Sequence, residues 1–189
     1  MKLHHLITAV FLMSLATVAY AQTHSDAAKP VAQSDAQKSF NSMKTLAGDW
    51  EGPVTVDPPQ PEMPGGPTHI SMRVTSRGNA LVHEMQEAGT PLDSAKYDHP
   101  VTMFYLDSDQ LTLVHYCDAG NRPHMVARPS PDGKKVEFDF VDLSGSNRFG
   151  HMYHAVFTMV DANHHIEEWT YMMPGDKPIH AHFDLQRAK

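Results

Sequence analysis

Apolar and polar residues alternate with a period of two along most of this chain, the signature of strands that bury one face. His69 to Thr75 places Ile70, Met72 and Val74 together, and Ala80 to Glu87 places Leu81, His83 and Met85 opposite Val82, Glu84 and Gln86. Val101 to Leu106 is apolar on both faces, and Asp107-Ser108-Asp109 turns it into Leu111 to Cys117. Pro123 to Arg128 follows a Gly120-Asn121 turn, and Val136, Phe138 and Phe140 follow Pro131-Asp132-Gly133. Met152 to Val160 and His165 to Met173 flank Asp161-Ala162-Asn163, and Ile179 to Leu185 closes the series. The period changes only near the start. Phe40, Met43 and Leu46 recur at three-residue steps behind Ser34 or Asp35, which predicts a short capped helix ended by Gly48, with a first strand over Pro53 to Val56.

These segments and their turn residues predict an all-β fold, with about ten antiparallel strands in an up-and-down barrel and a short N-terminal helix. No segment is long enough for a helical crossover, so a parallel sheet is excluded. Closing the meander removes its exposed edges.

The first residues read as an address. Lys2 precedes an apolar run from Leu6 to Val18, and Ala19-Tyr20-Ala21 has the small-x-small form of a cleavage site. Residues 1–21 are thus expected to be a secretory signal peptide, 22–35 a polar disordered leader, and 36–189 the barrel. The protein is expected to be exported, periplasmic or secreted, without a membrane anchor. The formal charge of −7 and the lack of a Lys/Arg cluster argue against nucleic acid as a partner. A single cysteine, Cys117, cannot close a bridge within the chain, while 14 histidines are many for this length.

Leu46-Ala47-Gly48-Asp49-Trp50-Glu51-Gly52 brings a short helix into G-x-W at the first strand. This resembles the calycin group of lipocalin-like barrels, and its L-x-G-x-W-x-G form is closer to the nitrobindin-like branch and its uncharacterised secreted relatives. Pro178-Ile179-His180-Ala181-His182-Phe183 is similar to the run that carries the axial haem ligand in nitrobindins. The resemblance implies haem as cofactor and His182 as its ligand. Strand parity groups Ile179, Ala181, Phe183 and Leu185 on one face, which leaves His180 and His182 on the other.

His115 and Cys117 share a face with Leu111 and Leu113 and are expected to point inward. With His83 from another strand they could present imidazole and thiolate to zinc or copper. The alternative is a buried, hydrogen-bonded histidine beside an inert cysteine. Asn121 and Arg122, after the Gly120 turn, are candidates to rim a cavity mouth and hold an anion. Trp50 is expected to plug the end of the barrel under the helix. The chain lacks G-x-S-x-G, H-E-x-x-H, Walker and G-x-G-x-x-G patterns, so no catalytic residue is named. Glu167 and Glu168 alternate faces and cannot act together from one strand.

The leading expectation is a barrel that binds a small, largely apolar ligand in its lumen, with His83, His115 and Tyr105 orienting the polar end and Cys117, Asn121 and Arg122 nearby. Two others stay open. One is a transition-metal protein using His83, His115 and Cys117; the other is an enzyme with a histidine general base.

Overall fold

The computed structural model describes residues 32–61, 63–129 and 133–189. The expected signal peptide and nearly all of the expected leader lie outside the described residues. Helix α1 spans Asp35–Lys44, so Asp35 belongs to it. The Ser34 hydroxyl accepts the backbone N–H of Gln37 at 3.2 Å, which satisfies one of the unpaired donors of the first turn. Ala36, Phe40 and Met43 are buried.

Ten strands follow: β1 (Gly48–Asp57), β2 (Gly66–Thr75), β3 (Ala80–Glu87), β4 (Val101–Asp107), β5 (Gln110–Tyr116), β6 (Arg122–Pro129), β7 (Lys135–Ser144), β8 (His151–Asp161), β9 (His164–Met173) and β10 (Lys177–Arg187). Each pairs with its sequence neighbours, and β1 pairs antiparallel with β10, so the barrel is closed. The expected architecture holds. Strand β1 begins at Gly48 rather than Pro53, because the alternation has already started there: Trp50 is fully buried between exposed Asp49 and Glu51.

Meander connectivity gives the barrel two unlike ends. The turns after β2, β4, β6 and β8 lie at the end where α1 enters, while the connections after β1, β3, β5, β7 and β9 lie at the other, the loop end. Helix α1 packs against β4, β5 and β6, across the barrel from the strand that it leads into. It therefore plugs its end, and Phe40, Met43 and Leu46 share one core with Trp50, Leu81, Phe104, Leu111, Phe138 and Leu185. The Trp50 indole N–H donates to the Leu46 carbonyl at 2.7 Å. The Arg187 guanidinium lies over the Trp50 ring and donates to the carbonyls of Ala47 and Thr45, which answers orphan acceptors just past the helix.

Gly52 explains the second glycine of this motif. A Cβ there would lie 1.9 Å from the Asp184 carbonyl oxygen of β10. Gly52→Ala is expected to cost about 1–3 kcal/mol through forced separation of β1 and β10. A urea midpoint unchanged from wild type would show that the two strands can give way there.

Candidate functional site

The interior is not uniformly apolar. Strand β9 sends His165, Glu167 and Trp169 inward at alternate positions, and none is more than 2% exposed. Opposite them, His83 of β3, Thr102 of β4 and His115 of β5 form one cross-strand row, since His83 pairs with Thr102 and Thr102 with His115. All three are buried.

Glu167 is the hub. Nε2 of His83 lies 3.2 and 3.1 Å from its two carboxyl oxygens. His165 Nε2 lies 3.0 Å from Oε1, and the Trp169 indole N–H donates to Oε2 at 2.9 Å. A carboxylate has no proton to give, so both imidazoles donate to it through Nε2–H. Burial pushes the Glu167 carboxyl up. The adjacent His83 and the hydrogen bonds from His165 and His83 outweigh that push and hold it well below the ordinary carboxylate range. Glu167 is a buried anion, and such a charge persists only when paired and hydrogen-bonded.

His115 is its neutral counterpart. Its Nδ1 lies 2.8 Å from the Thr102 hydroxyl, and burial, then the nearby His83, pushes its pKa down to about 3. A neutral imidazole can accept or donate through its second nitrogen according to its tautomer. Nε2 of His115 and Nδ1 of His83 and of His165 are buried without a hydrogen-bond partner. Trp169 stands between the two sides of the barrel, its ring 6.0 Å from His83 and 5.6 Å from His115. The His165 ring meets Trp50 edge-on at 4.2 Å, so the network reaches the helix plug.

Several expected site residues lie elsewhere. Tyr105 is on the outer face of β4, because the inward positions are Thr102, Phe104 and Leu106. Strand β5 ends at Tyr116, so Cys117 does not continue its alternation and lies half-buried in the loop beyond. There its sulfur lies within 4.8 Å of carboxylate oxygens of Asp98 and Asp118, the one such ligand-like group among the described residues. His83, His115 and Cys117 are therefore not gathered around one point, and the expected metal trio is corrected on that ground. Burial, helped by Asp98 and Asp118, pushes the Cys117 thiol up, the wrong direction for a thiolate ligand. A surface pocket of about 470 Å³ lies beside it, lined by residues 94–99 and 116–118.

Asn121 is buried, and its amide donates to the carbonyls of Ser146 and Gly150 at 2.9 and 2.7 Å. Both of its donors clamp the loop between β7 and β8, so it does not rim a mouth. Arg122 is exposed at the loop end, with Nη2 3.4 Å from the Ser144 hydroxyl. His182 is half-exposed on the outer face of β10, with Nδ1 3.9 Å from Glu168. Ala181 and Phe183 take the inward positions. An interior haem held by His182 does not fit this arrangement.

Sequence reasoning weighed Glu167 only as a partner of Glu168 and passed over His165 and Thr102. The signal for Glu167 was available: in His165-Ile166-Glu167-Glu168-Trp169, the parity that buries Trp169 also buries Glu167 and His165. Thr102 had no such mark, because its role arises from the register that sets it between two histidines.

No family model matches the chain, and no curated protein matches it. Among solved structures, the chain is similar to Rv2717c from M. tuberculosis, with 12% identity and a TM-score of 0.57 over 80% of this chain and 98% of that one. A protein of unknown function from the DUF3598 family of Nostoc punctiforme matches 77% of this chain and 48% of its own, with 9% identity and a TM-score of 0.40. At these identities the likeness to Rv2717c extends to the fold alone.

Proposed function

We propose that this protein is an exported, calycin-like barrel that binds a small, largely apolar ligand from its loop end, with His83 and His115 as the polar contacts. The observation that carries the reading is the pair of fully buried imidazoles, each with a ring nitrogen lacking a partner. An unmet buried polar atom costs about 1–3 kcal/mol, so a fold that keeps two on one cross-strand row favours a role for them.

The direction of entry follows from packing. The helix end is covered by α1, whereas no helix lies over the loop end among the described residues. Exposed apolar side chains also gather there: Leu92, Tyr97, Tyr116, Phe149 and Met173 all lie on its loops or strand ends. Such a collection favours a binding surface. His83 and His115 themselves have no exposed surface, so the ligand reaches them by displacing a neighbour, and Trp169 is the ring beside both. Binding is then coupled to Trp169, whose indole fluorescence should report it.

Native mass spectrometry on protein recovered from an exporting host is the first test. A co-purified small molecule at one equivalent, lost in His115→Phe, is the expected result. No adduct, together with unchanged tryptophan emission on adding palmitate, retinol or haemin, would retire the reading. Export itself is checked in the same preparation from the N-terminus of the recovered chain, expected at Gln22.

A further inference from the structure

We propose a divalent transition-metal site, zinc being the natural probe, on the outer face of β10, formed by His180 and His182 with Glu168 and Asp57 from the flanking strands. Residues two apart on a strand point the same way, about 6.5–7 Å apart, and adjacent strands run about 4.8 Å away. His180 and His182 are such a pair, and both are exposed. The register sets Glu168 of β9 opposite His182 and Asp57 of β1 opposite His180. Two imidazoles on the middle strand thus have a carboxylate on either side, all four on the outer face of the sheet.

The donor set suits the ion. Two histidines and a carboxylate are an established zinc-binding combination, and imidazole also accepts copper and nickel. Nδ1 of His182 already lies 3.9 Å from the Glu168 carboxylate. Nδ1 of His180 lies 3.1 Å from the Thr170 hydroxyl, so Nε2 is the nitrogen that would take the ion. The donors stand apart in this structure and close on an ion by rotation of exposed side chains. Nearby His164 is already committed to Asp184 at 2.8 Å and serves as the comparison. The site is independent of the interior histidines, and it gives the surface position of His182 a chemical role.

Zinc chloride titrated calorimetrically into the Cys117→Ala protein at neutral pH tests this, since that background removes the thiol from the loop cluster with Asp98 and Asp118. One saturable equivalent is expected. It should weaken at least tenfold in His180→Ala and in His182→Ala, weaken severalfold in Glu168→Gln, and stay unchanged in His164→Ala. His180, His182 and Glu168 are exposed or half-exposed and His164 is partly exposed, so folding is not at stake, and circular dichroism confirms it. An isotherm that survives both histidine variants, or that is present in wild type and absent in Cys117→Ala, would overturn the assignment.

Discussion

Glu167→Gln should lower the stability of the barrel by about 3–5 kcal/mol, the cost of breaking a buried charged network from one side. The substitution keeps the volume and changes only what the side chain can accept. Three N–H donors, from His83, His165 and Trp169, converge on the two carboxylate oxygens. An amide offers one accepting oxygen and turns its own N–H₂ toward at least one of those donors. The indole can only donate, whereas an imidazole can switch tautomer, so at best part of the network re-forms. Urea denaturation monitored by tryptophan emission measures the effect. A loss under about 1 kcal/mol would mean that Glu167 behaves like a surface pair, for which that is the usual range.

His115 makes the fold acid-labile in a defined window. Its ordinary value is 6.5 and its folded value is about 3, so below pH 6.5 the unfolded chain takes up a proton that the folded chain refuses. The stabilising contribution is complete above pH 6.5 and is lost as pH falls toward 3, at about 1.4 kcal/mol per pH unit. Between pH 6.5 and 5 the loss from this one side chain is then roughly 2 kcal/mol. The depressed Glu167 carboxyl acts in the same direction: its contribution is held above the ordinary carboxylate range and lost below it. His115→Gln keeps a hydrogen-bonding partner for Thr102 and cannot titrate. Unfolding free energies of the two proteins should therefore converge by roughly 2 kcal/mol over that interval. Parallel curves would show that His115 takes its proton without unfolding, and hence that water reaches it. That outcome would also bear on ligand access.

These expectations show where local pattern suffices and where it stops. Period-two alternation and turn residues placed the strands, because each residue in a half-buried strand is exposed or buried according to its own parity, though β1 starts five residues before its expected Pro53. The same rule put Leu81, His83, Leu113 and His115 inside and His182 outside before any coordinates. G-x-W and the three-residue steps before it placed the plug, since helix face and strand parity are both readable one segment at a time.

What no local reading supplied was which inward groups meet. The distance from Glu167 to His83 is set by the closure of ten strands and by the register across them, and the two residues lie 84 positions apart in the chain. Cys117 failed for the converse reason: one residue past the end of β5, parity ceases to apply, and the loop carries it to Asp98 and Asp118. Sequence by itself determined the barrel, its plugged end and the inward parity of His83 and His115, because alternation is a property of each strand. Only the tertiary structure decided that a buried carboxylate joins His83 to His165, because the partners are brought together by the closed sheet.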